Sequence, residues 1–131
     1  MKYFTIDELC KSDTAKAKRI DNSPSDEIIH NLTSLVDKVL DPLRESYGKA
    51  IRVSSGYRCP ALNKAVKGSK TSQHMKGLAA DITVGATTKN KELFDLIIQL
   101  DLPFDQLIDE KKFSWVHVSY SSKPRKQILH L

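Results

Sequence analysis

The chain has 131 residues, of which 40% are hydrophobic and 28% charged, a composition that is typical of one globular domain and excludes a disordered protein. Its net charge of +5 and pI of about 9.2 favour contact with anionic polymers, and no apolar run approaches the roughly 18 residues that cross a bilayer. The lysines have no aromatic residues among them and no nucleic-acid-binding motif is present, so we expect neither nucleic acid nor membrane as a partner.

Neither the N-terminal segment nor the cysteines indicate export. Residues 1–8 contain no apolar h-region, so no secretory signal peptide is visible. We expect a protein that is cytoplasmic as synthesised, with release to the cell wall by another device as the alternative. Cys10 and Cys59 form no C-x-x-C pair, and we expect reduced thiols, although the sequence also allows a disulfide.

The first part of the chain is predicted to be helical. Residues 5–8 fit a capping box that opens a short helix, and residues 11–23 are polar and predicted irregular. A longer helix is predicted to begin near Ser23-Pro24, to kink at Pro42 and to end at Gly48. Its apolar residues recur at helical spacing and form one stripe suited to packing on a sheet: Ile28, Ile29, Leu32, Leu35, Val36, Val39, Leu40 and Leu43.

The remainder alternates between strands and helices. We predict a strand at 51–53, one or two helical turns at 60–66, a strand at 78–84, a helix at 88–100, a hairpin of strands 104–109 and 113–120, and a last strand at 127–131. This order predicts a single α+β domain over residues 1–131. Its antiparallel sheet would have about four or five strands, with helices packed on one side.

Three polar residues occupy positions that suggest a metal site. Asp81 lies inside the apolar strand 78–84 and His117 inside the strand 113–120, while His74 precedes Asp81 by one loop. A carboxylate buried alone is costly, and two imidazoles with one carboxylate suit a catalytic zinc site whose fourth position holds water. Taken singly, each residue has a structural alternative: a hydrogen-bonded core histidine, a carboxylate that caps a turn or pairs with lysine, and a loop histidine.

Several separate motifs resemble the M15 family of zinc peptidases, D-alanyl-D-alanine carboxypeptidase-like enzymes, and most closely its short cell-wall and phage members. In chain order they are Ser54-Ser55-Gly56-Tyr57-Arg58, Asn63, Ser72-Gln73-His74-Met75-Lys76-Gly77-Leu78-Ala79-Ala80-Asp81-Ile82 and Trp115-Val116-His117-Val118-Ser119. The likeness covers roughly residues 1–120. It implies the fold shared by these peptidases and the hedgehog signalling domain, with Zn²⁺ held by His74, Asp81 and His117.

The resemblance also implies a catalytic carboxylate. Many relatives have an acid three residues before the second histidine, where this chain has Ser114. In the short members the acid ends a strand similar to residues 105–110, which points to Glu110, with Asp109 as its rival. Adjacent residues of a strand face opposite sides of the sheet, so only one of them can face the metal, and we prefer Glu110.

Substrate contacts are implied in the same way. The resemblance assigns Arg58 to the substrate carbonyl or carboxylate, for which a guanidinium offers forked donors, while a surface arginine is the alternative. Ser72 and Gln73 are further candidates for substrate contact, and Ser72 could instead orient the ligand loop. Trp115 suits core packing or substrate contact. The implied substrate is a peptidoglycan stem peptide, cut at a D-Ala-D-Ala or L-Ala-D-Glu bond.

We therefore expect a monomeric zinc metallopeptidase that acts on peptidoglycan peptides. One alternative is a non-catalytic zinc-bearing binding module of the same fold, which would lack a working carboxylate beside the metal. A second alternative is a nucleic-acid-binding protein, motivated only by the charge of +5. It predicts strong, salt-dependent binding to DNA or RNA.

Overall fold

Helices occupy most of the first half of the chain, in agreement with its capping residues and apolar spacing. The computed structural model describes residues 1–131. Its helices are α1 (Ile6–Cys10), α2 (Asp13–Ala17), α3 (Asp26–Leu35), α4 (Asp41–Tyr47), α5 (Pro60–Ala65) and α6 (Thr87–Gln99). Main-chain N–H groups of α1, α2 and α3 donate to the side chains of Thr5, Ser12 and Ser25. The Ser12 cap explains why α2 forms in a segment predicted to be irregular.

The long apolar helix differs from its prediction at two points. It begins after Ser25 and not after Ser23, because Ser25 supplies the side-chain cap. A π-helical stretch, Val36–Leu40, joins α3 to α4, just before Pro42. Proline cannot donate an N–H to the preceding turn, and the expected kink takes this widened form. Gly48 ends α4 with φ 78°, as predicted.

Five strands form one sheet, and the predicted α+β fold is confirmed. The strands are β1 (Arg52–Ser55), β2 (Ala79–Thr83), β3 (Phe104–Glu110), β4 (Trp115–Tyr120) and β5 (Gln127–His130), in the order β1-β2-β4-β3-β5. The first three pairs are antiparallel, as predicted. β5 pairs in parallel with β3, because the chain leaves β4 and returns along the outer side of β3. The sheet is therefore mixed.

The helices cover one face of the sheet, and the strand alternation decides which side chains they bury. Ile82, Val116 and Val118 are fully buried in the core, together with the inner faces of α3, α4 and α6. Asp81 and His117 alternate with these residues and so lie on the opposite face. No helix of the structure combines the length and the apolar character needed to cross a bilayer.

Candidate metal centre

Three side chains from separate elements converge on the uncovered face of the sheet. They are His74, in a 3₁₀ turn at Gln73–Lys76, Asp81 in β2 and His117 in β4. One ligand atom of each lies within 4.8 Å of the others. Asp81 Oδ1 is 3.3 Å from His74 Nε2 and 3.0 Å from His117 Nδ1. The structure thus brings together the three residues that the sequence singled out.

The strand register places Asp81 directly opposite His117 on the antiparallel neighbour β4. Paired residues of neighbouring strands project to the same face, so both side chains reach the same point. A shift by one residue would send either side chain into the helix-covered core. The local sequence of β4 prevents that shift, since Val116 and Val118 are fully buried on the other face.

His74 is held by the segment that follows β1. Its ring Nδ1 lies 2.7 Å from the carbonyl oxygen of Gly56, and its own carbonyl oxygen accepts from the main-chain N–H of Arg58 at 3.0 Å. A carbonyl can only accept, so Nδ1 carries a proton, and Nε2 is the ring nitrogen that faces Asp81. The Ser72 hydroxyl caps the turn by accepting from the main-chain N–H of His74.

This arrangement makes a cation favourable between the ring and the carboxylate. His74 Nε2 and Asp81 Oδ1 face each other at 3.3 Å, and without a proton on Nε2 both would be acceptors that a cation can bridge. Burial raises the pKa of Asp81, but the neighbouring imidazoles of His117 and His74 outweigh burial and hold this pKa well below its usual range. An ionised carboxylate and two imidazole nitrogens are donors that zinc prefers, and a set of three leaves a position for water. The residues present fit a zinc ion.

Glu110 lies on the same face as these ligands. Ile108 pairs with His117 and Glu110 with Trp115, so Glu110 lies one pleat along β3 from the ligand pair. The indole Nε1 of Trp115 donates to Glu110 Oε2 at 2.8 Å, which holds one carboxylate oxygen and leaves Oε1 without that partner. The same cavity, of about 790 Å³, is lined by Glu110, Trp115 and the three ligand residues.

Asp109, the rival of Glu110, occupies the opposite face. It is 6% exposed, and its carboxylate pairs with the imidazole Nδ1 of His130 in β5. Ser114 lies in the turn before β4, where its hydroxyl donates to the carbonyl oxygen of Lys111. The alternation expected from β3 therefore places one carboxylate, that of Glu110, beside the cavity.

Arg58 lines this cavity and is half-buried. Its Nη2 donates to Ser72 Oγ at 3.3 Å, and its buried Nε has no hydrogen-bond partner. Burial lowers the pKa of Arg58, while the nearby carboxylates of Asp81 and Glu110 oppose this shift. The guanidinium thus keeps one buried N–H donor that has no partner in the protein.

The comparison with known families agrees with this geometry. The family model described as Peptidase M15 matches residues 2–119. The chain belongs to the peptidase M15 family. The predicted membership is confirmed, and with it the broader expectation of a peptidase. No curated protein matches the chain significantly.

The region that the family model matches includes all three candidate ligand residues, Arg58 and Glu110, and it ends one residue before the end of β4. The loop at 121–126 and β5 lie outside it. Two features inside this M15 domain were not assigned a role from the sequence. The Gly56 carbonyl, which orients His74, lies within the Ser54–Arg58 motif, so the motif itself was the available signal.

The second missed feature of this M15 peptidase is Asp105. Its carboxylate accepts from Gln73 Nε2 at 3.0 Å and from Arg125 Nε and Nη2 at 3.0 and 2.8 Å. The Arg125 hydrogen bonds lower the pKa of Asp105 to about 2 against the opposing effect of burial. No local pattern links these three residues, which are separated by 32 and 20 positions in the chain.

The two cysteines of this M15 peptidase are free thiols, as predicted. Both lie near Asn22, whose side-chain amide donates to the carbonyl oxygen of Cys10 and accepts from the main-chain N–H of Cys59. Burial, with a smaller effect of Asp7, raises the pKa of Cys10 to about 11. A thiol with so high a pKa is a poor nucleophile at neutral pH.

Proposed function

We propose that the protein is a zinc-dependent peptidase that hydrolyses a peptide bond in the stem peptides of bacterial peptidoglycan. The observation that carries this proposal is the convergence of His74, Asp81 and His117 on a cavity that Glu110 also lines. Membership of the M15 family supports peptide hydrolysis in general. The resemblance of its motifs to the short cell-wall members supports the stem peptide as the substrate, with D-Ala-D-Ala or L-Ala-D-Glu as the bond.

His74, Asp81 and His117 would hold the metal, and zinc at such a site supplies an acidic water and polarises the scissile carbonyl. Glu110 accepts a proton from the attacking water and passes it to the leaving amine. The indole of Trp115 binds Glu110 Oε2, so the free Oε1 is the atom that carries the proton. Glu110 thereby acts first as a general base and then as a general acid.

Arg58 stabilises the negative charge that develops on the carbonyl oxygen. Its half-burial weakens the screening by water, so a hydrogen bond to an oxyanion is stronger there than at the surface. Ser72 holds Nη2 and limits the motion of the guanidinium. The positively charged side chain is therefore already placed before the substrate arrives, and little ordering is needed in the transition state.

A digestion assay tests this function. Zinc-loaded protein is incubated with isolated peptidoglycan, and the released fragments are weighed by mass spectrometry. Loss of a terminal alanine indicates carboxypeptidase activity, whereas release of the peptide after its first alanine indicates endopeptidase activity. A chelator should abolish the fragments and added zinc should restore them. If the zinc-loaded protein releases none, the proposal is wrong and the non-catalytic binding module of the same fold becomes the better interpretation.

A further inference from the structure

A second polar cluster lies in the same cavity as the ligand residues. We call it the Asp105 cluster; it consists of Gln73, Asp105 and Arg125. Gln73 and Arg125 both line the cavity, while Asp105 is buried behind them with 4% of its surface exposed. Three N–H groups of Arg125, one of them from the main chain, donate to this carboxylate. The cluster therefore presents two side chains that are fixed by one buried anion.

Asp105 determines which way the Gln73 amide faces. With a pKa of about 2, the carboxylate is ionised at neutral pH and can only accept, so the Gln73 Nε2 must point to it. The amide oxygen Oε1 consequently points away from Asp105. It is buried and has no hydrogen-bond partner. A buried unpaired acceptor is costly, and because Gln73 lines the cavity, a small side-chain rotation that lets Oε1 accept an incoming N–H would remove this cost.

Arg125 keeps donors for a second anion. Asp105 engages its Nε and Nη2, whereas Nη1 has no partner in the protein, and 58% of the side-chain surface is exposed. A guanidinium held in one plane provides the forked donors that match a carboxylate. Arg58 and Lys76 line the same cavity and add positive charge to it. Two side chains that line the cavity, Gln73 and Arg125, can thus accept from an amide and donate to an acid, respectively.

We propose that the Asp105 cluster is a subsite for a substrate residue that carries a free carboxylate beside an amide N–H. Arg125 binds the carboxylate, and Gln73 Oε1 accepts from the amide. This inference rests on the proposed function, since it takes the substrate to be a stem peptide. Arg125 lies beyond residues 2–119, the part of the chain that the family model matches, so family membership does not supply this subsite.

A stem peptide offers two carboxylates of this kind. One is the α-carboxylate of its γ-linked D-glutamate, and the other is the C-terminal carboxylate of its last D-alanine. Recognition of the first would favour cleavage near the glutamate, and recognition of the second would favour removal of the terminal residue. The Asp105 cluster therefore bears on which bond is cut.

Binding of three synthetic peptides tests the subsite. They are N-acetyl-L-Ala-γ-D-Glu-L-Lys-D-Ala-D-Ala and its two forms amidated at one carboxylate, either that of the glutamate or that of the C-terminus. Dissociation constants are measured by calorimetry with zinc-loaded Glu110→Gln protein, in which turnover is expected to be suppressed. We expect one of the two amidations to weaken binding about tenfold, because it removes a charge-assisted pair.

Adding Arg125→Gln should remove this effect, so that all three peptides bind alike within about twofold. Lys123→Gln is the matched control: it removes one positive charge from an exposed neighbour outside the cavity and should leave the tenfold difference intact. Gln73→Leu should weaken all three peptides by a similar factor and preserve the difference. If Arg125→Gln impairs folding, Arg125→Lys is used in its place. It should reduce the tenfold effect of amidation to about threefold or less, since lysine lacks the paired N–H donors of a guanidinium.

Two results would overturn the subsite: neither amidation weakens binding, or the effect of amidation persists without Arg125. If the Arg125–Asp105 pair had only a structural role, Arg125→Gln would lower the thermal midpoint and leave the preference for a carboxylate unchanged. Failure of the proposed function is seen separately, as an absence of cleavage by zinc-loaded wild-type protein in the digestion assay. Carboxylate-selective binding without cleavage would leave the subsite standing and discard the peptidase proposal.

Discussion

The carbonyl oxygen of Gly56 lies 2.7 Å from Nδ1 of His74, and Gly56 itself is in close contact with the main chain of α1. A Cβ added at Gly56 would lie 2.1 Å from the carbonyl oxygen of Leu9. That oxygen also accepts from the main-chain N–H of Tyr57. The absence of a side chain at this position therefore allows α1 and the segment after β1 to approach, and this approach sets the orientation of His74.

Gly56→Ala is expected to destabilise the protein by about 2 kcal/mol, because the main chain must move to admit the methyl group. The same movement shifts the Gly56 carbonyl, so zinc affinity should fall about tenfold. Urea unfolding and zinc competition titrations measure the two effects. In the control Gly48→Ala, the methyl group meets no atom within 4 Å. It should cost about 1 kcal/mol through its left-handed backbone and leave zinc affinity unchanged.

The zinc ligands can be tested one at a time. His74→Ala and His117→Ala should each abolish stoichiometric zinc binding, since two remaining ligands hold zinc poorly. Competition with a coloured chelator measures the affinity. His30→Ala is the matched control, because His30 is exposed on α3 and remote from the cavity. Zinc affinity that survives the loss of either ligand histidine would place the metal elsewhere.

Glu110 and Asp109 make a matched pair for testing the catalytic base. Glu110→Gln should retain zinc and reduce kcat about a thousandfold, a typical loss for a general base. Asp109→Asn should keep kcat within a fewfold, because its carboxylate faces His130 on the other side of the sheet. Steady-state kinetics with a stem peptide, together with zinc content, separates the two. A fully active Glu110→Gln protein would show that another group accepts the proton.

The Asp105–Arg125 pair predicts a pH dependence of stability. Arg125 hydrogen bonds lower the pKa of Asp105 from an ordinary value of 3.8 to about 2 in the folded protein. A lowered folded pKa means that the pair stabilises the fold above about pH 4, and that this contribution is lost as the pH falls toward 2. The stability difference between wild type and Asp105→Asn should therefore be largest above pH 4 and shrink toward pH 2. Urea unfolding of both proteins at several pH values checks this, and a constant difference would contradict it.

Much of this fold follows from local patterns. The alternation in β2 and β4 determines which face carries Asp81 and His117, since Ile82, Val116 and Val118 belong to the core on the other face. The same alternation separated Glu110 from Asp109. Such patterns succeed because each strand must bury one face, and a one-residue shift would bury charge.

Features that depend on contacts between distant segments were not predictable in this way. The parallel direction of β5 depends on the path of the chain after β4, and the hydrophobic periodicity of residues 121–131 does not indicate this path. The Asp105 cluster joins residues from the turn before β2, from β3 and from the loop before β5. The carbonyl that orients His74 belongs to the main chain of Gly56, a residue without a side chain, so the residue type gives no chemical signal and only the family motif marked its position.

The central claim, that one metal ion is shared by His74, Asp81 and His117, is tested most directly by anomalous diffraction. Crystals of the zinc-loaded protein are measured on both sides of the zinc absorption edge, and the difference map is inspected for the metal. We predict a single strong peak within coordination distance of His74 Nε2, an Asp81 carboxylate oxygen and His117 Nδ1, on the side of the sheet that Glu110 faces. A peak at other residues, or no peak between these three side chains, would contradict the account.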